Sequence, residues 1–201
     1  MIIGITGKSG DGKTTAADEL CKNIPKSIVL HMDDYHMDML AQTPEIIELY
    51  GPNAVTNGYL NMPYLLKNKK KWAKIHKLTD HKTIDYIFSK IEEYKKKNYE
   101  TIVVEWIRLP SLKKVWDSCD YRIRIKSTDR VKRYKNMNNR QIENRYFIGN
   151  MEKDLNTRDN CNLDYDSYNY DYDLINEYDD SFYDSIKKIA NEMKKGEHNE
   201  Y

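Results

Sequence analysis

The chain has almost no net charge and few cysteines. Its 201 residues include 33 basic and 32 acidic side chains, for a formal net charge of +1, so no overall field draws it to nucleic acid or to an anionic membrane. No apolar run approaches the length of a membrane span, and the first residues lack the pattern of a secretory signal. The three cysteines are widely spaced, which is typical of a reducing compartment. We therefore expect a cytoplasmic protein without nucleic-acid or membrane partners.

Glycine is also scarce, with eight residues in the chain, yet three of them lie in the segment 7–14, which reads Gly-Lys-Ser-Gly-Asp-Gly-Lys-Thr. An apolar run over 1–6 precedes this segment, and apolar side chains recur at helical spacing over 15–21. A glycine, four residues and Gly-Lys-Thr between a strand and a helix form the P-loop pattern. Glycines allow successive backbone N–H groups to face one centre, and the helix N-terminus adds its own amides. The pattern predicts a site for the polyphosphate of a nucleotide.

The P-loop residues have distinct predicted roles. Lys13 is predicted to reach the β- and γ-phosphates of ATP, and the Thr14 hydroxyl to bind Mg²⁺. The residues predicted to bind ATP are Gly7, Ser9, Gly10, Asp11, Gly12, Lys13, Thr14 and Thr15. A glycine-rich structural turn is the alternative, but the strand before the motif and the helix after it favour the nucleotide site.

Strand-like and helix-like patterns alternate along the whole chain. Strands are predicted at 1–6, 27–30, 101–105, 121–126 and 170–175. This alternation predicts an α/β fold of the P-loop kinase type: a single domain over 1–201 with a parallel five-stranded sheet and helices on both faces.

Three further segments complete the predicted architecture. Residues 36–78, interrupted by prolines and glycines, are predicted to form an irregular, partly helical insertion on the acceptor side. An amphipathic helix is predicted to begin at Thr79 or Asp80, and a closing helix at a Ser181 cap. The polar residues 138–162 are predicted to form a mobile lid.

Several classes of P-loop protein are excluded by missing motifs. A GTPase switch needs Asp-x-x-Gly, but none of the eight glycines has an aspartate three residues before it. The guanine-reading motif Asn-Lys-x-Asp and the second glycine-rich signature of transporter-type ATPases are also absent from the sequence. A compact phosphotransferase remains, and it needs an acceptor carboxylate, an acid near the metal and an arginine-bearing lid.

Two acids at predicted strand ends are candidates for this chemistry. Asp33 follows the second strand, where a carboxylate can orient an acceptor hydroxyl and accept its proton. Glu105 ends the next strand and is a candidate to hold a water molecule bound to Mg²⁺. The structural alternatives are a helix-capping or loop carboxylate for Asp33 and a strand-end hydrogen bond for Glu105.

Arginines in and before the predicted lid are the third element. Arg133, Arg140 and Arg145 are candidates to cover the phosphoryl group in transfer, because the guanidinium group binds phosphate oxygens in forked geometry. Closure of such a lid would also exclude water and suppress hydrolysis. For any one of these arginines, a solvated surface position is the alternative.

The chain resembles the dephospho-CoA kinases, with the uridine kinases a close second. Residues 2–15 fit both families. Five segments are similar to elements of dephospho-CoA kinase: 48–51 (Glu-Leu-Tyr-Gly), 57–60 (Asn-Gly-Tyr-Leu), 78–81 (Leu-Thr-Asp-His), 145–151 and 172–176 (Tyr-Asp-Leu-Ile-Asn). Asp33 followed closely by Tyr35 and His36, together with Glu105 after a valine, looks more like uridine kinase.

The first resemblance implies transfer of the γ-phosphoryl group of ATP to dephospho-CoA, with ATP and Mg²⁺ as cofactors. The second implies a nucleoside or nucleoside-monophosphate kinase with the same machinery. Acceptor-binding candidates under these resemblances are Asp33, Tyr35, His36 and His81; for the aromatic residues at 35 and 36, packing is the alternative.

Two departures from the dephospho-CoA kinase pattern keep a third hypothesis open. His31 stands where that family has the first acid of its Asp-x-Asp motif, and Met137 stands where a lid arginine is expected. A catalytically degenerate nucleotide-binding protein is therefore the third candidate. A monomer or a weak homo-oligomer is expected in each case.

Overall fold

The structure is a computed structural model, and it describes residues 1–65, 67–139, 151, 155 and 163–196. Within these residues one parallel sheet contains the strands β1 (Ile2–Gly7), β2 (Ser27–His31), β5 (Thr101–Glu105), β6 (Tyr121–Lys126) and β7 (Tyr172–Ile175). Their order across the sheet is β2-β5-β1-β6-β7, and each neighbouring pair is parallel. The prediction of an α/β fold with a five-stranded parallel sheet is confirmed.

The helices connect these strands and cover the sheet. They are α1 (Lys13–Asn23), α2 (Met32–Ala41), α3 (Pro44–Tyr50), α4 (Met62–Leu65), α5 (Lys69–Lys96), α6 (Lys113–Asp117), α7 (Arg130–Asn139) and α8 (Asp180–Gly196). No helix in the described part of the chain is long and apolar enough to span a membrane.

Alternate residues of a strand point to opposite sides of the sheet, and in the inner strand β5 every residue is buried. Val103 packs with residues of α1 and α8 in one core cluster, whereas its neighbours Ile102 and Val104 pack with residues of α5 and α6 in another. The second cluster also contains Trp106, which is almost completely buried just after β5. This double burial explains the unbroken apolar run from Ile102 to Val104 before the final acid of β5.

The carboxyl ends of the parallel strands meet at one edge of the sheet, where open α/β sheets bind their ligands. β1 is central, and its register places Ile5 opposite Glu105 of β5. The neighbouring register places His31, the last residue of β2, directly opposite Glu105 as well. The P-loop and the two strand-end acidic candidates therefore emerge at the same edge.

The structure corrects the predicted start of the long helix. α5 begins at Lys69, with the Asn68 side chain capping the amide of Lys71, instead of beginning at Thr79 or Asp80. The hydroxyl of Thr79 donates to the carbonyl of Ile75 at 3.0 Å, so this threonine is satisfied inside the helix and does not cap it. The segment 78–81 is consequently mid-helix, and its similarity to a helix start in dephospho-CoA kinase is not reproduced.

The start of the last helix is also corrected. The residue that caps the helix is Asp179 and not Ser181. The Asp179 carboxylate accepts a hydrogen bond from the first-turn amide of Ser181 at 3.1 Å. The predicted inner face of this helix is confirmed, because its predicted residues are buried in the core: Ile186, Ile189, Ala190 and Met193.

Residues 36–78 contain their own small core. Short helices α3 and α4 flank a two-stranded antiparallel hairpin, β3 (Val55–Thr56) and β4 (Tyr59–Leu60). The turn residues Asn57 and Gly58 both have positive φ, 52° and 79°, as a tight two-residue hairpin turn requires. The buried residues of this third cluster come from the insertion and from the first turns of α5: Leu40, Ile46, Tyr50, Ala54, Leu60, Leu65, Trp72 and Ile75.

Candidate active site

The P-loop connects β1 to α1 with glycines that no other residue could replace without a collision or strain. A Cβ on Gly7 would lie 2.3 Å from the carbonyl oxygen of Ile125, and a Cβ on Gly12 would lie 2.3 Å from Nδ2 of Asn176. Gly10 and Gly12 also have φ of 84° and 100°, in the left-handed region that glycine tolerates best. The loop therefore closes tightly against β6 and the segment after β7.

The carbonyl groups of the loop are turned toward the protein. Each carbonyl from residue 8 to residue 11 accepts a side-chain hydrogen bond: Lys13 Nζ to Lys8 O (3.1 Å), Arg133 Nε to Ser9 O (2.8 Å), Tyr178 Oη to Gly10 O (2.7 Å) and Asn176 Nδ2 to Asp11 O (2.8 Å). A phosphate site needs N–H groups rather than carbonyls facing the anion. This arrangement therefore suits the predicted polyphosphate cradle.

Lys13 and the two threonines after it lie at the start of α1. Lys13 is the first residue of the helix and is largely buried, while Thr14 and Thr15 occupy the next two positions. Helix N-terminal amides and a buried ammonium group form a strongly anion-attracting end.

A buried ion pair joins the loop to α7. Asp11 Oδ1 lies 3.1 Å from Arg133 Nε, and both side chains are only 4% exposed. The other oxygen of Asp11 accepts from the amide of Lys8 at 2.9 Å. Burial raises the pKa of Asp11 to about 6, although the positive charges of Arg133 and Lys13 lower it. The structure thus places Arg133, a predicted lid arginine, against the P-loop itself.

The strand-end acids are placed differently from each other. Asp33 is the second residue of α2 and is exposed just beyond β2. Glu105 is buried at the end of β5. The imidazole of His31 contacts two acids. Its Nδ1 lies 3.1 Å from Oε2 of Glu105, and its Nε2 lies 3.2 Å from Oδ1 of Asp18. Its hydrogen bond to Glu105 is the main reason why the pKa of His31 is raised.

The donor set at this edge fits Mg²⁺. Groups of three or more His, Cys, Asp or Glu side chains that could hold a metal are absent from the described residues. Mg²⁺ does not require such a cage, because it commonly keeps several waters and takes one or two protein oxygens plus phosphate oxygens. The Thr14 hydroxyl at the start of α1 and the Glu105 carboxylate supply oxygens of this kind.

The acceptor-side candidates are only partly brought together. His36 lies one turn after Asp33 on α2 and is buried, with Nε2 3.2 Å from Nδ1 of His76 on α5. Tyr35 points elsewhere and stacks on Tyr86, the ring centroids 3.3 Å apart. His81 is exposed on α5, so it does not join the buried histidine pair.

The residues around the histidine pair were not singled out by sequence reasoning. Trp106 packs on His36 with ring centroids 4.6 Å apart, and Arg108 lies over Trp106 while its Nη1 binds Asp80 at 3.2 Å. Burial, reinforced by the positive charge of Arg108, lowers the pKa of His36 to about 3 and that of His76 to about 2. The pair is therefore neutral at physiological pH.

Sequence analysis placed Asn176 in a segment similar to dephospho-CoA kinase without giving it a contact, and it did not single out Tyr178. Both follow β7 and contact the P-loop from more than 160 positions away in the chain. The signal available in the sequence was their place at the carboxyl end of a strand. The remaining lid candidates, Arg140 and Arg145, lie outside the described residues, as does most of the predicted lid at 138–162.

Comparisons with known proteins agree with this architecture. No protein-family model matches the chain. A uridine kinase of Borrelia turicatae is 25% identical over 161 residues, which cover 78% of this chain and 68% of the relative.

Solved structures match over nearly the full length. A protein of Thermus thermophilus superposes with a TM-score of 0.65 at 19% identity, over 96% of this chain and 97% of that chain. The shikimate kinase of Acinetobacter baumannii, solved with shikimate, superposes with a TM-score of 0.50 at 12% identity, over 97% of this chain and 93% of that one. The chain has the fold of the P-loop kinases.

Proposed function

We propose that this protein is an ATP-dependent kinase that transfers the γ-phosphoryl group to a hydroxyl of a small molecule. The observation that carries the proposal is the P-loop itself, whose carbonyls from residue 8 to residue 11 are all bound to side chains of the protein. A loop held in this way is suited to direct amides at a polyphosphate, and the ammonium group of Lys13, which donates to the carbonyl of Lys8 in this structure, is proposed to bind the phosphate oxygens. The likeness to a uridine kinase in sequence supports the same reaction class.

The proposed transfer step uses Asp33 and Lys13, with Thr14 and Glu105 as the residues on the metal side. Asp33 orients the acceptor hydroxyl and takes its proton as the oxygen attacks the γ-phosphorus. The new O–P bond forms while the bond from the γ-phosphorus to the β,γ-bridging oxygen breaks, and ADP leaves with that electron pair. Lys13 stabilises the charge that develops on the bridging and γ-phosphate oxygens. When bound, Mg²⁺ would neutralise phosphate charge, with Thr14 and Glu105 as the residues that would hold it.

The predicted lid arginines keep their proposed role. Arg140 and Arg145 follow α7 in sequence and are proposed to cover the transferred group, since guanidinium groups stabilise spread negative charge. Arg133 is proposed to contribute its positive charge from α7, where it contacts the P-loop.

For the acceptor, we propose a nucleoside, with uridine as the first candidate. A relative in sequence is a uridine kinase, and the sequence around Asp33 resembles that family. Dephospho-CoA was favoured by the sequence, but one of its supporting elements, the helix start at 78–81, lies in the middle of α5.

The test is ADP release with MgATP across a panel of acceptors. Uridine, cytidine, dephospho-CoA and the common nucleoside monophosphates would each be assayed at equal concentration. We expect a nucleoside to give the highest acceptor-dependent rate. A response to dephospho-CoA alone would overturn the nucleoside assignment and leave the kinase assignment in place.

A degenerate protein would behave differently in the same assay. It would show a rise in unfolding temperature with MgATP, since ligand binding stabilises the folded state, but no acceptor would increase ADP release. That result would overturn the proposed catalysis and retain only nucleotide binding.

A further inference from the structure

Three side chains from distant parts of the fold bind three consecutive carbonyls of the P-loop. Arg133 of α7 donates to Ser9, Tyr178 donates to Gly10, and Asn176 donates to Asp11 at 2.8, 2.7 and 2.8 Å. We call Arg133, Asn176 and Tyr178 the carbonyl clasp. Each contact has the length of a good hydrogen bond, so all three loop carbonyls point toward these three side chains.

Asn176 is fixed at both ends of its amide. Its Nδ2 donates to Asp11, while its Oδ1 accepts from the backbone amide of Tyr178 at 2.8 Å. The residue is 3% exposed, so both bonds are sheltered from water. Its approach depends on the glycine at position 12, where a Cβ would lie 2.3 Å from Nδ2.

Tyr178 adopts a strained backbone conformation to make its contact. Its φ is +58°, which is unfavourable for a residue with a bulky side chain and persists only when surrounding contacts enforce it. Burial raises the pKa of its phenol to about 12, so the hydroxyl remains a proton donor at physiological pH. Strain retained next to an anion-binding loop points to a functional contact.

Arg133, which binds the carbonyl of Ser9, also forms an ion pair with the loop. The same Nε that donates to Ser9 lies 3.1 Å from Asp11 Oδ1. Asp11 in turn accepts from the amide of Lys8. A carboxylate inside a phosphate-binding loop would repel the ligand, and the adjacent guanidinium compensates for its charge.

The physical consequence follows from the planarity of the peptide group. The N–H and C=O of one trans peptide point in opposite directions, so holding the carbonyls of Ser9 and Asp11 outward directs the amides of Gly10 and Gly12 to the opposite side. The amide of Asp11, which follows the Gly10 carbonyl, donates to the carbonyl of Lys8 at 3.2 Å and closes the turn of the loop. A carbonyl that rotated inward would both remove a donor and oppose the phosphate charge. Donors fixed in advance cost no reorganisation when the ligand binds.

We propose that the carbonyl clasp is a set of positioning residues for the polyphosphate site: Arg133, Asn176 and Tyr178 hold the loop carbonyls away from the nucleotide so that the loop amides are ready to bind phosphate oxygens. The inference rests on the proposed function, because it assumes that the loop binds ATP. It assigns a role in phosphate binding to the segment after β7 and to the first turns of α7.

The test removes one donor while keeping the packing. Tyr178→Phe deletes only the phenolic oxygen, and Arg133→Lys keeps the charge beside Asp11 but loses the Nε donor to Ser9. The dissociation constant for MgATP would be measured by calorimetry, and that for inorganic tripolyphosphate by competition against MgATP. We expect both variants to bind both ligands about fivefold to tenfold more weakly, as the loss of one net hydrogen bond implies. Tyr183→Phe, at an exposed tyrosine of α8, is the matched control and should bind like the wild type.

The outcomes separate the clasp from the proposed function. An equal loss for ATP and tripolyphosphate supports the clasp, with the unfolding temperature of the free variants showing that they are folded. A loss for ATP without a loss for tripolyphosphate would mean that Tyr178 contacts the nucleoside, which overturns the clasp. Wild-type affinity in both clasp variants, with binding lost in Lys13→Ala, would overturn the clasp alone. Wild-type binding in Lys13→Ala would overturn the proposed function and the clasp with it.

Discussion

The Nε of Arg133 lies 2.8 Å from the carbonyl oxygen of Ser9 and donates a hydrogen bond to it, across 124 positions of the chain. The same guanidinium forms a buried ion pair with Asp11. The helix that leads into the predicted lid is therefore attached to the P-loop. The P-loop and α7, which are far apart in the sequence, form one site.

The buried carboxyl of Asp11 should make stability depend on pH in a distinctive direction. Its pKa is raised from 3.8 to about 6, so the folded state binds a proton that the unfolded state has released. This contribution to stability is complete below about pH 4 and is lost as the pH rises through about 6, by up to about 3 kcal/mol at ~1.4 kcal/mol per pH unit.

Comparison with Asp11→Asn isolates this contribution. The free energy of unfolding, measured with urea from pH 4 to pH 7, should fall with rising pH in the wild type relative to the variant. Asp184→Asn, at an exposed acid of α8, should follow the wild type. A difference between wild type and Asp11→Asn that rises with pH would contradict the burial of a protonatable Asp11.

The histidine pair predicts the opposite pH dependence. The pKa values of His36 and His76 are lowered from 6.5 to about 3 and about 2, so acid protonates the unfolded state first. Stability should be lost as the pH falls below about 6.5, by up to ~1.4 kcal/mol per pH unit for each imidazole. Between pH 6 and pH 5 the slope of His76→Gln should be lower than that of the wild type by about 1.4 kcal/mol per pH unit, because one buried imidazole is lost while the opposing contribution of Asp11 is common to both proteins.

His81→Gln is the matched control, because it changes an exposed histidine of the same helix. Its slope should equal that of the wild type. If His76→Gln and His81→Gln flatten the slope equally, the buried pair is not the source of the acid sensitivity.

The fold was largely predictable because its signals are local. Most strands carry a local pattern, an apolar run in β1, β2 and β5 and an alternation of apolar and basic residues in β6, and all five were located, with β7 beginning two residues later than predicted. The start of α5 was misplaced because Thr79 can cap a helix or bond within it, and only the packing of Trp72 and Ile75 in the insertion core decides between the two.

The candidate site was predictable only where its residues are contiguous. The P-loop carries its glycines and lysine in eight successive positions. The contacts of Tyr178, Asn176 and Arg133 with that loop arise from tertiary packing. The sequence marks Arg133 as a lid candidate and places Asn176 and Tyr178 just after a strand, but it pairs none of them with the P-loop. The approach of His31 to Glu105 follows from the register of two parallel strands, which the sequence alone does not supply.

Asp33 should be needed for transfer and dispensable for nucleotide binding. Asp33→Asn keeps the side-chain shape but cannot accept the acceptor proton, so acceptor-dependent ADP release should fall by about 10²-fold to 10⁴-fold. The dissociation constant for MgATP should remain close to that of the wild type. Asp38→Asn, at an exposed acid on the same helix, should retain the wild-type rate. Full activity in Asp33→Asn would show that another group orients the hydroxyl.

The most direct test of the polyphosphate site is Lys13→Ala, with MgATP binding measured by thermal shift and ADP release measured with the best acceptor of the panel. With MgATP at 100 times its dissociation constant, the wild-type protein should gain about 2.7 kcal/mol of stability. We predict that Lys13→Ala is folded but shows neither this gain nor acceptor-dependent ADP release. Thermal stabilisation and turnover at the wild-type level in Lys13→Ala would contradict the account.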